Sequence, residues 1–522
     1  MPPRNGVCTI PASIAWNQSP LPQNQLAALP LTAIRPAGWL LDAIAHSAPR
    51  TEEARLFTAA LLGQAVAPPT ADFPPDKHAL RALMAYHGMT GDPAVLRALL
   101  AHAKALRDQL ADAGFADAQY AADMGDWLRA CLWLYNLTGQ KALLLLAKQI
   151  KAQAPDWTST FHTFAQTGAV KQAPPQDTDF YWRVHGATVA AGLKIPALQA
   201  LFEGGLKSET AFQVGWEKLR RHHGAAHGLF SASPLLGGSD PSREMDDAVV
   251  TELIESLVVL LTAQGDALAG DLLETAVFNA VPAMGGRQAA NQLFAPAPTP
   301  DGYAAYAAAL WMATCDGGLA AVGYAPCEVR WRIDGQLVRL DVETHYPAEE
   351  DVVIRLRLGE AVRFPLLLRI PAWAEGATVA VNDEEAAPLE PGFARLEREW
   401  QNGDILHLRL PMAVRALPGA RQSVSVARGP VVYALPVAAG QPWAMAMLPE
   451  MGFEVDATEA EPIVYAKAAP VPQWTASGKR PGVMPVAPEI QAEAVQRVAL
   501  YPYGKTKGRI AQFPVGYIGG RA

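Results

Sequence analysis

The chain has 522 residues, of which half are hydrophobic and 18% are charged, and its formal net charge is −8. A chain of this length is expected to fold into two or three domains with large apolar cores. The acidic balance, with no basic stripe, argues against nucleic acid as a partner, because nucleic-acid binding requires neutralisation of phosphates.

The cysteines and the apolar segments restrict the class further. Cys8, Cys131, Cys315 and Cys327 lie far apart and form no CxxC pair, so neither a disulfide framework nor a zinc ribbon is predicted. Residues 1–20 lack the apolar core of a signal peptide, and no run of about 18 apolar residues occurs. We therefore predict a soluble, cytoplasmic protein with no membrane partner.

The chain begins with a Pro-rich extension that contains the first helix (1–50), and a long helical region follows. From residue 77 to about residue 311, apolar residues recur with the period of helices that bury one face. Gly91, Gly139 and Gly265 each stand where a helix C-cap needs a left-handed residue, just before the next helix begins. Repeated hairpins of this kind predict a toroid of helix pairs over 51–312, with an irregular α-bundle as the alternative.

Near residue 316 the helical period gives way to alternation. Segments such as ATVAVN, FARLERE and DILHLRL alternate apolar and polar residues between Gly, Pro and Asn-Asp turns. This pattern predicts an antiparallel β-sandwich over 313–440. In the Pro-rich tail, 441–522, we expect one or two closing strands that pack on the sandwich.

Several phrases spread along the chain resemble those of a known family. They are IRPAGWLLDAI (34–44), DWLRACLWLYNLTG (126–139), LWMATCDGGLAAVGYAP (310–326), LRIPAWA (368–374) and ARGPVVYAL (427–435). In order and spacing they resemble the glycoside hydrolases that include the zinc- and cysteine-dependent β-L-arabinofuranosidases. The resemblance implies an (α/α)6 barrel followed by β-sandwich modules, with a carbohydrate site at one mouth of the barrel.

The resemblance breaks at the residues that carry the family's chemistry. The family's general acid/base glutamate corresponds here to Pro234, and its zinc-binding glutamate and cysteine correspond to Asp246 and Ala248. The region before residue 310, where the family has paired cysteines, contains none. Since zinc needs about four ligands, among which thiolates bind strongly, Asp246 alone would not hold the ion. We therefore predict no zinc, no other cofactor and no cysteine nucleophile.

Acidic residues supply the candidates for catalysis, because glycoside hydrolysis needs an acid and a second carboxylate. Asp246 and Asp247 lie at the family's site, and Asp179 precedes a helix that also carries a histidine. Adjacent like charges would raise one pKa and keep an acid protonated. The alternative for each carboxylate is helix capping, in which the helix dipole stabilises an acidic first turn.

Aromatic rings and histidines supply the candidates for sugar binding, because flat rings stack on sugar faces and fixed polar groups set the orientation. The candidate substrate-binding residues are His78, Asp126, Trp127, Tyr181, Trp182 and His185. The two histidines fall where the resemblance implies histidines that contact the sugar. The alternatives are a buried structural role for His185 and core packing for Trp127.

Two functions are compatible with these residues. In the first, the protein hydrolyses a small glycoside without zinc or thiolate, with Asp246 or Asp247 and Asp179 as the acid/base pair. In the second, it is a catalytically inactive relative that acts as a carbohydrate-binding or scaffold protein, which the joint loss of three catalytic elements favours. The segment 51–75 is brief for the family's helices. An incomplete ring would recruit a second copy or another subunit to cover its apolar edge.

Overall fold

The computed structural model describes residues 14, 16–69, 75–115, 123–171, 178–292, 302–437, 445–458, 460–471 and 488–518. Helices dominate the first half of the chain and antiparallel strands the second half. This arrangement confirms the predicted multidomain α + β class. None of the helices in these ranges combines the length and apolarity that a membrane crossing requires.

The helical part consists of short and medium-length helices joined mostly by tight turns. They are α1 (Gly38–Ala45), α2 (Glu52–Leu61), α3 (Lys77–Thr90), α4 (Pro93–Asp112), α5 (Gly125–Thr138), α6 (Lys141–Gln153), α7 (Trp157–Thr163), α8 (Thr178–Val184), α9 (Gly186–Gly192), α10 (Ile195–Glu203), α11 (Leu206–His223), α12 (Asp247–Gln264), α13 (Ala267–Thr275) and α14 (Tyr303–Ala309).

An inner set of these helices forms a closed ring, which we call the helical ring. Going round it, α2 contacts α3, α3 contacts α5, and α5 contacts α10. Both α9 and α10 contact α12, which contacts α14, and α14 returns to α2. The predicted toroid is therefore confirmed, and the described helices close it without a partner subunit.

Glycine C-caps set the direction of the inner helices. Gly91, Gly139 and Gly265 follow α3, α5 and α12 at φ of 66°, 68° and 65°, as predicted. Only a residue without a Cβ adopts this left-handed conformation at little cost. Each cap turns the chain into an outer helix that packs back on the inner one. Successive inner helices consequently run the same way, and we call the end at which α3, α5, α9 and α12 begin the mouth.

Twelve of the first fifteen described strands form a β-sandwich, as predicted, and the three short strands at 244–246, 287–289 and 291–292 lie outside it. The fifteen strands are β1 (Leu26–Ala28), β2 (Ile34–Pro36), β3 (Glu244–Asp246), β4 (Arg287–Ala289), β5 (Asn291–Gln292), β6 (Trp311–Thr314), β7 (Leu319–Ala321), β8 (Cys327–Ile333), β9 (Gln336–Thr344), β10 (Asp351–Arg357), β11 (Val362–Ile370), β12 (Thr378–Val381), β13 (Ala387–Pro388), β14 (Gly392–Trp400) and β15 (Ile405–Arg409). One sheet has the order β1-β6-β7-β11-β14, and the other β13-β12-β15-β10-β9-β8-β2. The N-terminal extension thus supplies one strand to each sheet, which the sequence did not reveal.

The remaining strands build a second β unit. They are β16 (Val414–Gly419), β17 (Ser423–Arg428), β18 (Val431–Pro436), β19 (Met445–Met447), β20 (Phe453–Asp456), β21 (Ile463–Pro470), β22 (Glu489–Ile490), β23 (Gln496–Pro502), β24 (Arg509–Ile510), β25 (Phe513–Pro514) and β26 (Tyr517–Ile518). The expected closing strands near the C-terminus are present, but β23, β24 and β25 pair with β17 and β18. Hydrogen bonding therefore divides the β region between β15 and β16 rather than at residue 440.

A buried polar contact joins the outer helix α13 to the sandwich. Arg369 of β11 is fully buried, and its Nη2 lies 2.7 Å from Glu274 Oε2 of α13. The Tyr346 hydroxyl donates to the same carboxylate at 2.6 Å. Because buried charges are tolerated only when paired and hydrogen-bonded, this contact fixes α13 on the sandwich.

Candidate functional site at the mouth of the helical ring

Asp246 lies at the mouth, immediately before α12. It is the N-cap residue, yet its side chain makes no capping hydrogen bond. Its Oδ1 instead accepts from Ser233 Oγ at 2.7 Å and lies 3.4 Å from Arg287 Nε, which the pairing of β3 with β4 brings alongside. The side chain is 26% exposed. A helix N-terminus and a guanidinium therefore flank this partly exposed carboxyl group.

Asp247, the next residue, is occupied by structural contacts. Its carboxylate accepts the N–H groups of Gly285 and Gly286, at 3.1 and 2.7 Å for Oδ2. Arg50 Nη1 lies 2.8 Å from the same oxygen. These bonds tie the 285–286 turn and residue 50 to the start of α12. This geometry favours a structural role for Asp247 over the acid/base role expected from the sequence.

Asp179 lies on α8 with its side chain 52% exposed, in an ion pair with Arg183 one turn further on. An exposed pair of this kind is typical of a solvated helix face. The structure records no contact between Asp179 and Asp246, so it does not bring together the acid/base pair that the sequence suggested.

Three of the candidate sugar-binding residues form one half-buried aromatic group. The ring of His185 lies 5.6 Å from that of Tyr181 and 5.2 Å from that of Trp182. A backbone bridge between His185 and Leu235 brings the segment of Ser233 to the same place. Burial lowers the pKa of His185, Lys77 lowers it further, and Asp246 opposes both. His185 is therefore a neutral imidazole near pH 7.

Beneath the mouth, charged side chains from several inner helices form what we call the ion-pair cluster. Its members are Glu53, Lys77, Arg81, Asp123, Asp126, Arg129, Lys194, Glu252 and Glu255. Arg81 donates to both oxygens of Asp126 at 2.8 Å and to Glu252 at 2.7 Å. Lys194 donates to Asp126 at 3.0 Å. The cluster holds the inner helices together at the depth just below the mouth.

Two predicted sugar contacts are buried instead. Asp126 is 2% exposed within the ion-pair cluster, and Trp127 is 2% exposed in the apolar core. A sugar could reach Asp126 only by displacing Arg81 or Lys194. The prediction of direct sugar contact at these two positions is therefore corrected: both side chains point into the protein, where ion pairing and core packing stabilise them.

The edge of the cluster reaches the mouth through Lys77, His78 and Asp123. Lys77 Nζ lies 3.1 Å from Asp123 Oδ1 and 3.2 Å from Glu252 Oε1. Burial raises the pKa of Asp123, while Lys77 opposes the rise. His78, one of the predicted residues, is partly exposed here, with Nε2 3.9 Å from Glu252 Oε1. Asp123 is thus the carboxyl at this edge with a tendency to keep its proton.

The zinc site of the resembled family does not fit the side chains present. Ala248 offers no donor, and the Arg287 guanidinium beside Asp246 places a positive charge where a metal ion would add another. Cys131 and Cys327 are buried, and Cys315 lies in the turn after β6. Within the described ranges, no group of three or more His, Cys, Asp or Glu side chains is arranged to hold a metal ion.

Four residues of this site were missed by the sequence reasoning: Lys77, Asp123, Ser233 and Arg287. For the first two the sequence gave a weak indication, namely their position at the start of an inner helix. Lys77 is the first residue of α3, and Asp123 lies two residues before α5. No local pattern marks Ser233 and Arg287, because the contacts of each with Asp246 depend on folding of segments 13 and 41 residues away.

Comparisons with known proteins agree with this architecture. Residues 318–412 match the family model described as "Beta-L-arabinofuranosidase, GH127 middle domain". A GH127 β-L-arabinofuranosidase from Geobacillus stearothermophilus superimposes with a TM-score of 0.59 and 20% identity, covering 92% of this chain and 89% of that chain. A search of curated protein sequences gives no match.

Two further solved structures have the same fold. One, described as a glycoside hydrolase, has a TM-score of 0.57 and 15% identity, covering 97% of this chain and 100% of its own. The other, described as a GH127 β-arabinofuranosidase, has a TM-score of 0.55 and 14% identity, covering 94% and 98%. The chain thus has the fold of solved GH127 β-L-arabinofuranosidases over most of its length, and residues 318–412 match the model of that family's middle domain.

Proposed function

We propose that the protein binds a small glycoside at the mouth of the helical ring and hydrolyses it with carboxylates, without a zinc–cysteine centre. The observation that carries this proposal is the position of two carboxyl groups, those of Asp123 and Asp246, in the same part of the mouth as the basic side chains of Lys77 and His185. Asp123 contacts Lys77, and Asp246 accepts a hydrogen bond from Ser233, whose segment is joined to His185 by the backbone bridge at Leu235. The fold shared with β-L-arabinofuranosidases supports a carbohydrate as the ligand.

Each group has a role that suits its surroundings. Asp123, whose pKa burial raises, donates a proton to the leaving oxygen. Asp246, held by Ser233 and Arg287, acts as the carboxylate that attacks the sugar or takes a proton from water. The neutral imidazole of His185 accepts a hydrogen bond from a sugar hydroxyl, and the rings of Tyr181 and Trp182 supply the apolar surface on which the sugar stacks.

Binding without hydrolysis is the second candidate, and one contact favours it. Lys77 Nζ lies 3.1 Å from Asp123 Oδ1, and this ammonium opposes protonation of Asp123. If Lys77 keeps Asp123 ionised, the mouth lacks an acid, since Pro234 occupies the position of the relatives' glutamate. The protein would then be a carbohydrate-binding relative with no turnover.

The test is a screen of nitrophenyl furanosides and pyranosides, including the β-L-arabinofuranoside, against three matched proteins. Wild type is compared with Asp246→Asn and with Asp179→Asn, which makes the same substitution at an exposed ion pair. Hydrolysis predicts that Asp246→Asn lowers kcat by about 10²-fold or more, and that Asp179→Asn leaves it unchanged. If no substrate turns over while an arabinose-type sugar raises the Tm of wild type, the hydrolase proposal fails and the binding candidate stands.

A further inference from the structure

The lumen of the helical ring contains a cavity of about 310 Å³, which we call the lumen cavity. Side chains of α2, α3, α5, α10, α12 and α14 line it, and residues 27–31 line it as well. Its apolar wall includes Phe57, Met84, Leu132, Trp133 and Val258. The volume lies at the lower end of the range for small-molecule sites and is about twice that of a cavity known to hold benzene.

The lumen cavity is separate from the site at the mouth. None of the described residues that line it is Asp246, His185 or Lys77. Arg81, which lines the cavity, pairs with Asp126 and Glu252, and Lys77 of the mouth contacts the same Glu252 at 3.2 Å. The only charged groups among the described lining residues are Glu53, Arg81, Arg129 and Glu255, all from the ion-pair cluster. One wall of the cavity is therefore ionic, and the rest of its described lining combines apolar side chains with a few asparagines and threonines.

Carboxyl groups outnumber permanent cations by one in the ion-pair cluster. The carboxyl groups are Glu53, Asp123, Asp126, Glu252 and Glu255, and the permanent cations are Lys77, Arg81, Arg129 and Lys194. Burial raises the pKa of Asp123, so the other four carboxylates are the ones that need cations. A buried carboxylate with a distant cation is costly, and a closer cation would stabilise it.

Glu53 is the carboxylate with the weakest compensation. Its nearest cationic atom is Arg81 Nη1 at 3.7 Å, and His78 Nδ1 follows at 4.0 Å. Each of the other four carboxylates has an Arg or Lys nitrogen within 3.1 Å. Burial raises the pKa of Glu53, and the contact with His78 and the charge of Arg81 oppose the rise only in part. Glu53 also lines the lumen cavity, so a ligand there can contact it.

We propose that the lumen cavity binds a small primary amine with an apolar body, whose ammonium group pairs with Glu53. The ammonium supplies a cation closer to Glu53 than Arg81 is, and the apolar body contacts Phe57, Met84 and Leu132. A neutral ligand of the same shape fills the space but leaves Arg81 Nη1, at 3.7 Å, as the nearest cationic atom to Glu53. An anionic ligand meets Glu53 and Glu255 as like charges. This ligand and this site are independent of the glycoside at the mouth.

The test uses the full chain at pH 7 and three probes of one shape: 2-phenylethylammonium, 2-phenylethanol and 3-phenylpropionate. Isothermal titration calorimetry measures the affinity of each. The amine is expected to bind about tenfold or more tightly than the alcohol, as a charge-assisted hydrogen bond allows, and the carboxylate least tightly. Glu53→Gln should remove this preference while leaving the affinity for the alcohol unchanged.

Two further variants locate the probe. Ala85→Leu places bulk into the lumen cavity and should weaken binding of both amine and alcohol, and Asp246→Asn at the mouth should change neither. Equal affinity of wild type for amine and alcohol overturns the proposal, as does no amine binding at millimolar concentration. Should Glu53→Gln not fold, loss of amine binding in Ala85→Leu keeps the site testable. Displacement of the bound amine by an arabinoside would also overturn the proposal of a separate amine site. Failure of the protein to hydrolyse any glycoside would contradict only the proposed function of the mouth.

Discussion

Arg81 and Asp126 are joined by two parallel hydrogen bonds of 2.8 Å inside the helical ring, although 45 residues separate them in sequence. Arg81 lies on α3 and Asp126 on α5, and Arg81 also donates to Glu252 of α12 at 2.7 Å. One guanidinium therefore ties three inner helices together. Lys77 is the first residue of α3, and Asp123 and Asp246 lie just before α5 and α12, so this contact sets the spacing of the groups at the mouth.

Removing one partner of the Arg81–Asp126 pair should be strongly destabilising. In Asp126→Asn, Arg81 and Lys194 lose a buried counter-charge, for which a cost of about 3–5 kcal/mol is expected. Urea unfolding measures the loss. The matched control is Asp108→Asn, which breaks a pair with Arg107 on the surface of α4, with Asp108 53% exposed; that change should cost less than about 1 kcal/mol. Equal costs for the two variants would contradict the structural role of the cluster.

The ion-pair cluster should also make the free energy of unfolding depend on pH in the acid range. Burial alone would raise the pKa of Glu252, but Arg81 and Lys77 overcome it and lower the pKa to about 2. The unfolded glutamate titrates near pH 4.3, so between these values the unfolded state binds more protons. The stabilisation is thus complete above about pH 4 and is lost as the pH falls towards 2.

The midpoint of urea unfolding, measured across this range, tests the dependence. Wild type should lose stability steadily as the pH falls from about 4 to about 2, and Glu252→Gln should lose less over the same interval because position 252 no longer titrates. An identical slope for the two proteins would assign the acid sensitivity to other carboxylates.

A second pH effect is expected from His227, which is 1% exposed and whose Nδ1 accepts the Leu229 N–H at 3.3 Å. Burial, helped by Arg509, lowers the pKa of His227 to about 3. The unfolded histidine titrates near pH 6.5, so stability should be complete above that value and fall as the pH drops below it. His227→Asn should flatten the curve between about pH 6.5 and pH 5 in thermal unfolding. A steeper curve in the variant would contradict this assignment.

Part of the fold was predictable because its signals are local. The left-handed glycines at 91, 139 and 265 and the helical period around them depend on neighbouring residues, and the structure has the predicted caps. By contrast, β1 and β2 have three residues each and pair with β6 and β8, nearly 300 positions away. Strands so short contain no alternating pattern, so their pairing could not be predicted from the sequence.

The candidate site likewise combines residues that the sequence indicated with a side-chain direction that it could not. His185 and Asp246 were placed by resemblance to a motif, and both contact the segment 233–235, His185 through a backbone bridge to Leu235 and Asp246 through a hydrogen bond from Ser233. Asp126 begins an inner helix, where a carboxylate can face either the opening or the interior. The choice depends on Arg81 and Lys194, which lie 45 and 68 positions away. The direction of that side chain is a property of the assembled ring and was not visible locally.

The two tryptophans proposed from the sequence as sugar contacts should behave differently on substitution. Trp127 is enclosed in the core, and Trp182 is half-buried against His185 at the mouth. Trp127→Ala leaves a large cavity, and we expect a loss of about 3–5 kcal/mol in urea unfolding. Trp182→Ala should cost less stability and instead weaken binding of an arabinose-type sugar, measured as a smaller sugar-induced rise in Tm. If folded Trp127→Ala lost the sugar response while Trp182→Ala kept it, the sugar would have to bind within the ring rather than at its mouth.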